Sequence, residues 1–147
     1  MRYIYFLFFF HTISIYAQMT DVTFLVDMNT QPISPNGVHL AGSFQNWDPS
    51  TSMMTDINAD GIYELTLSLE SDSTYEYKFI NGNDWGDDEQ FSGDCINANQ
   101  NRVFSVTSAT TVVGPLCYEE CGPCVMPVNV NFMVDMSNET VSSNGIN

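Results

Sequence analysis

Positive charge is what this sequence has least of: 3 Lys and Arg stand against 18 Asp and Glu in 147 residues, giving a formal net charge of -15. Without a cationic surface to neutralise phosphates, nucleic-acid binding and docking on anionic membranes are excluded, and any partner is neutral, cationic or sugar-like. Histidine is scarcer still, at two residues. The chain also lacks the roughly 20-residue apolar run of a membrane-spanning helix and any capped apolar stripe of helical period. Its length suits one ordinary domain plus remnants, and not two complete ones. What it does have is core material, since 44% of its residues are hydrophobic and 13% aromatic, more than a disordered acidic tail carries.

Residues 1–17 place Arg2 before an apolar run from Tyr3 to Phe10 and end on the small Ala17. This is the layout of a secretory signal peptide, with cleavage expected before Gln18. Removal would take Arg2 and His11, leaving Lys78, Arg102 and His39 as the basic or titratable nitrogen side chains. Export predicts a secreted or cell-surface location and oxidised cysteines. Cys95, Cys117, Cys121 and Cys124 allow three pairings. Three of them cluster in Cys117-Tyr-Glu-Glu-Cys121-Gly-Pro-Cys124, and the arrangement expected ties Cys95 to Cys117 and closes the short Cys121 to Cys124 ring. Cys-Gly-Pro-Cys is also a thioredoxin-like dithiol sequence, but no βαβ pattern surrounds it, so a structural clip is expected. A zinc site is disfavoured because no histidine lies near in sequence.

The chain repeats itself. Val22-Thr-Phe-Leu-Val-Asp27-Met and Val130-Asn-Phe-Met-Val-Asp135-Met, each followed by Asn-Gly at Asn36-Gly37 and Asn144-Gly145, match at a constant offset of 108 residues. Self-similarity at domain length marks a tandem array of domains. The expected organisation is a signal peptide at 1–17, a first unit at 20–124, a linker at 125–129 and the truncated start of a second copy at 130–147.

Within the first unit the apolar period is two. Val22, Phe24, Val26 and Met28 alternate with Thr23, Leu25 and Asp27, and Tyr63, Leu65, Leu67 and Leu69 alternate with Ile62, Glu64, Thr66 and Ser68. Further strands are predicted at Val38 to Ala41, Thr74 to Ile80 and Val103 to Val113. Asn36-Gly37, Asp60-Gly61, Asn81-Gly82 and Ser92-Gly93 supply turns that tolerate positive φ. About seven short strands in roughly 105 residues predict an all-β, antiparallel β-sandwich; a small barrel is the alternative.

Catalysis is hard to assemble from these residues. His39 reads as an outward strand residue rather than a general base, and a sandwich this small rarely encloses the carboxylate pair of a glycosidase; no enzyme activity is expected. Asp56-Ile-Asn58-Ala-Asp60-Gly61 matches the opening half of a calcium loop, yet Leu67 stands where the closing glutamate belongs. A weak calcium site and a plain hairpin turn both fit; no other cofactor is expected. The cluster Asp84, Asp87, Asp88 and Glu89 reads as a solvated loop. Trp47 and Trp85 fall in polar, turn-rich segments outside the alternating strands, which suits flat faces stacked on sugar rings as well as it suits core aromatics.

Gly42-Ser-Phe-Gln-Asn-Trp47, Gly61-Ile-Tyr-Glu64 and Tyr75-Glu-Tyr-Lys78-Phe-Ile-Asn-Gly-Asn-Asp-Trp85 resemble, in order and spacing, the glycogen-binding domain of AMP-activated kinase β subunits and related starch-binding modules. The resemblance covers about Val38 to Val106 and extends to tandem modules in exported surface proteins of gliding-type bacteria. It implies an immunoglobulin-like, early-set sandwich that binds α-glucan (glycogen or starch-like) without cleaving it. It further implies that Trp47 and Trp85 are the stacking faces, that Lys78 reaches sugar hydroxyls, and that Asn101, or Gln100 if the loop aligns differently, supplies an amide. The segment from Gly86 to Asn99 departs from the family, being strongly acidic and carrying Cys95. The rival expectation is a structural spacer repeat in a surface adhesin, with no sugar site, since this fold hosts both roles.

Overall fold

The computed structural model describes residues 17–109, 112–125, 131–135, 137–138 and 140. The expected signal segment up to residue 16 and most of the linker lie outside them. Six strands form: β1 (Met19–Asp27), β2 (His39–Gly42), β3 (Ile62–Glu70), β4 (Thr74–Ile80), β5 (Arg102–Ser105) and β6 (Val112–Cys117), with one 3-10 turn at Ser43–Gln45. They make two sheets of three, ordered β3-β1-β6 and β2-β4-β5. The architecture is the expected all-β, immunoglobulin-like sandwich, with six strands among the described residues. All pairings are antiparallel except β1 with β6, which is parallel.

The period-two pattern builds the core directly. Val22, Phe24 and Val26 of β1 face Leu40 of β2 and Tyr77 and Phe79 of β4, all buried. The Phe24 ring lies edge-on to Tyr77 at 5.2 Å and to Phe104 at 5.0 Å between centroids. Each such side chain contributes about 1.5–3 kcal/mol by leaving water, so β1 nails the two layers together. It also runs against β3 in unbroken register from Met19 opposite Glu70 to Asp27 opposite Ile62. Along β6 the register shifts between Phe24 and Val26. There Gly114 has φ +110°, and a Cβ would collide with the Leu25 carbonyl oxygen, so glycine alone permits the close approach.

Three expectations are corrected. The single strand from Val103 to Val113 is two: the chain leaves one sheet after Ser105, buries Val106, and joins the other sheet as β6. The segment is rich in β-branched Val and Thr from end to end, including the connection between the strands, so residue type alone does not locate the break. His39 points away from the core but is only 5% exposed, and its Nδ1 has no hydrogen-bond partner. The chain at 52–54 lies along the free edge of β2, through Leu40 N–H to Ser52 O and Met54 N–H to Val38 O, both 2.9 Å or shorter, and shields it. The disulfides join Cys95 to Cys121 and Cys117 to Cys124. A tight turn explains this pairing: Cys117 N–H donates to Gly122 O at 2.8 Å and Glu120 N–H to Cys117 O at 3.2 Å, which returns Cys124 to Cys117 and leaves Cys121 facing the Gly93–Cys95 segment. Of the turn glycines, Gly37 and Gly61 adopt positive φ, while Gly82 and Gly93 do not.

The deepest polar feature is an ion pair. Arg102 grips Glu89 through Nε to Oε1 and Nη2 to Oε2, both 2.8 Å, with side chains 2% and 0% exposed. Arg102 Nη2 also donates to the carbonyls of Cys117 (3.2 Å) and Glu120 (2.9 Å), and the guanidinium lies 4.5 Å from the Phe91 ring centroid. One side chain thereby joins β5, the 89–95 segment and the cystine turn. In the repeat, Phe132 and Val134 correspond to the buried Phe24 and Val26 but are 90% and 64% exposed. No described helix is long and apolar enough to cross a membrane.

Candidate functional site

The two tryptophans come from separate loops on the outer side of the β2-β4-β5 sheet and meet. Trp47 follows the 3-10 turn after β2. The Gln45 amide brackets this turn: Oε1 accepts Asp48 N–H at 2.8 Å and Gly42 N–H at 3.4 Å, while Nε2 donates to the Asp48 and Leu40 carbonyls. Trp47 N–H returns to Gly42 O at 3.0 Å. Asn46 and Trp47 both hold left-handed φ, 60° and 59°. For a bulky residue that conformation costs on the order of 1 kcal/mol or more and persists only where the surroundings impose it. The outcome is an indole whose centroid lies 6.3 Å from that of Trp85, with planes tilted by 43°.

Trp85 rides the loop after β4. Its N–H donates to Asp84 Oδ1 at 2.8 Å, and Asn81 N–H to Asp87 O at 2.9 Å. The loop then returns to the sheet: Asp88 pairs with Ile80, and Glu89 N–H donates to Phe79 O at 3.0 Å, prolonging the line of β5 beside β4. Because Tyr77 and Phe79 face the core, Lys78 between them faces outward, under this loop. Its ammonium binds Asp88 Oδ2 at 2.8 Å and Glu89 O at 3.4 Å, and Lys78 is 8% exposed. Gly86 N–H donates at 3.2 Å to the other oxygen of the same Asp88 carboxylate. Lys78 therefore moors the Trp85 loop. Asn101 belongs to the same face, with Nδ2 donating to Glu76 Oε2 at 2.8 Å. Trp47 is half-buried and Trp85 is 47% exposed.

The candidate calcium residues lie elsewhere, in the turn entering β3. Asp56 Oδ1 and Oδ2 accept the N–H groups of Asp60 (3.1 Å) and Gly61 (2.9 Å), and Asp60 Oδ1 and Oδ2 accept Ile62 N–H and Asn58 Nδ2, both at 2.9 Å. These carboxylates close a hairpin turn. Among the described residues no group of three or more His, Cys, Asp or Glu is placed to hold a metal. The cluster at 84–89 is not the solvated loop expected: Asp84 braces Trp85, Asp88 binds Lys78 and Glu89 is buried against Arg102, each committed to a different partner.

Residue scarcity pointed to Lys78 and Arg102 but not to their partners. Gln45, Glu76, Asp88 and Glu89 do the positioning; the acidic cluster at 84–89, lying in the segment between the two lone cations, was a signal for Asp88 and Glu89 alone. Among the described residues no Lys or Arg is exposed, so the indole pair has no solvent-exposed cation beside it.

The electrostatics predict a pH dependence. Burial pushes the Asp88 carboxyl up, but the hydrogen bonds and charge of Lys78 and the Gly86 N–H outweigh it and hold the group below its ordinary value. The Glu76 carboxyl is lowered by hydrogen bonds from Asn101, then Asn97. A depressed carboxylate contributes stability above its unfolded value, about 3.9 for Asp and 4.3 for Glu, and loses it as pH falls through the folded value. Stability should hold from pH 7 to about 5 and decline below about 4, with a change in tryptophan fluorescence as the Asp88 tether protonates; parallel urea titrations across that range check this.

Residues 34–95 match the family described as carbohydrate-binding module 48 (isoamylase N-terminal domain). The amylopullulanase of Thermoanaerobacterium thermosulfurigenes is 31% identical over 74 residues, covering 49% of this chain and 4% of that protein. The gamma-CGTase of the alkalophilic Bacillus clarkii shares the fold, with a TM-score of 0.50 at 24% identity over 71% of this chain and 16% of that one. The CBM25-2 of the beta/alpha-amylase from Paenibacillus polymyxa superimposes more loosely, with a TM-score of 0.39 at 20% identity over 67% of this chain and 85% of that module. The chain thus spans only a small part of the first two relatives. The family match and the sandwich together support a carbohydrate-binding module.

Proposed function

We propose that the domain is a non-catalytic module that holds α-glucan chains, glycogen- or starch-like, for an exported multi-domain protein. The observation that carries this reading is the meeting of two indoles from different loops, 6.3 Å apart, with Trp85 47% exposed. Apolar C–H faces of successive glucose rings stack on such a surface, and the Asn101 amide beside Glu76 offers a polar contact. Lys78 contributes through the Trp85 loop it anchors, and its remaining N–H is the most it has for a hydroxyl. The repeat at 130–147 fits an array of copies, in which weak single-site binding is multiplied by avidity, by about 10² to 10⁴.

Affinity electrophoresis of the protein through gels containing glycogen or soluble starch tests the reading. Retardation is expected, and Trp85→Ala should remove about 2 kcal/mol of binding, roughly thirtyfold in affinity. Mobility that ignores glucan would favour the spacer reading, for which the buried Lys78 and half-buried Trp47 are the supporting observations.

A further inference from the structure

The opposite sheet carries a concavity. On the outer face of β3-β1-β6, a cavity of about 460 Å³ is lined by Leu25, Ile62 and Glu64 of the sheet, Pro115 of β6, and Ile57, Asn58 and Asp60 of the turn entering β3. Leu25 and Glu64 are directly paired across β1 and β3 and point away from the core, because Phe24 and Val26 point into it. This cavity is therefore on the far side of the sandwich from the tryptophans.

Its lip is preformed. Asp56 fastens both ends of the turn through Asp60 N–H and Gly61 N–H, and Asn29 Nδ2 donates to Asp60 O at 2.9 Å. Thr55 and Glu64 exchange backbone hydrogen bonds of 2.9 and 2.8 Å, so the turn is laced to β3. This rigid turn holds Ile57 at 84% exposure, beside an aliphatic floor of Leu25, Ile62 and Pro115. No aromatic lines the cavity, so it is not built for stacking on sugar. Its polar margin is acidic: the Glu64 carboxylate has no partner among the described residues, and Asp60 stands beside it.

We propose that this cavity receives a lysine side chain presented by a basic segment of a partner polypeptide, its methylenes lying on Leu25, Ile62 and Pro115 and its ammonium between Glu64 and Asp60. Charge complementarity selects the occupant. The chain has a net charge of -15, both charged rim groups are carboxylates, and no described Lys or Arg is exposed to compete. A lysine combines an apolar stem with a cationic tip, the two chemistries the cavity offers. The exposed Ile57 selects a polypeptide over a free amine, because flanking residues of a partner would cover it whereas an amine confined to the cavity would leave it in water.

The test uses the whole chain with labelled methyl groups and three probes: an acetylated, amidated Gly-Leu-Lys-Leu-Gly peptide, the same peptide with norleucine for lysine, and free 1,5-diaminopentane. The lysine peptide should shift the Leu25, Ile57 and Ile62 methyl resonances, weakening with salt. Norleucine should weaken binding by about tenfold, and Glu64→Gln by up to about fivefold. Trp85→Ala should change nothing, which separates this site from the glucan surface. No shift at these methyls, equal binding of the norleucine peptide, or diaminopentane binding as tightly as the peptide would each overturn the proposal.

Discussion

Arg102→Ala is expected to destabilise the domain by about 3–5 kcal/mol, the usual cost of removing one partner from a buried ion pair. The loss would not come from the salt bridge alone. Glu89, fully buried, would be left charged beside Phe79 N–H with nothing to neutralise it, and the Cys117 and Glu120 carbonyls would lose their donor. Against a total stability of about 5–15 kcal/mol, such a loss threatens folding, so the informative series is Arg102→Lys, Glu89→Gln and the double variant Arg102→Met with Glu89→Leu. Urea denaturation should rank the double variant above Arg102→Ala, because removing both charges leaves no unpaired ion. If Arg102→Ala lowers stability by less than about 1 kcal/mol, as an exposed pair would, the pair is not desolvated as described.

The same residues explain how far the sequence could be read. β1, β3 and β4 were legible because each has one face on the core, and alternation reports that directly. β5 and β6 ran together, since the β-branched Val and Thr residues that suit strands continue through the connection between them. Trp47 and Trp85 were legible as aromatics in turn-rich sequence; their meeting was not, because it depends on a left-handed φ at Trp47 imposed by the Gln45 amide. Lys78 illustrates the harder case. A motif places its Cα correctly on the outer face, but the fate of its ammonium depends on Asp88, ten residues on, within the acidic stretch that departs from the resembled family. The cystine pairing was illegible for a different reason: three pairings are topologically permitted, and the one adopted follows from a tight turn closed by Cys117 N–H on Gly122 O, which no Asn-Gly or Asp-Gly signal announces.

Opening the Cys95–Cys121 bond should weaken both fold and site, and it should do so more than opening Cys117–Cys124. Loop-closure entropy assigns about 3.5 kcal/mol to a cross-link spanning 26 residues and about 2.4 kcal/mol to one spanning 7. The larger bond also fastens the segment downstream of Trp85. That segment runs from the Asp88 tether through Glu89 and Phe91, which Arg102 holds, to Cys95, whose sulfur lies 4.0 Å from Arg102 Nη1. With Cys95→Ser and Cys121→Ser together, the Lys78–Asp88 and Arg102–Glu89 contacts and the backbone bonds of Asp87 and Glu89 would still hold the near end of the loop, but its far end at Cys95 would lose its covalent anchor, and the indole pair would spend part of its time apart. Retardation by glycogen should therefore fall along with the urea midpoint. Cys117→Ser with Cys124→Ser should lower the midpoint by less and cost less retardation, because the turn it closes reaches the Trp85 loop through Arg102, the Tyr118 hydroxyl on Asp87 O and Glu119 on Gln90 N–H, and none of these contacts is made by the disulfide itself. Equal loss of binding in the two double variants would mean that the loop's order comes from the domain as a whole, and that the Cys95–Cys121 clip has no special hold on the glucan surface.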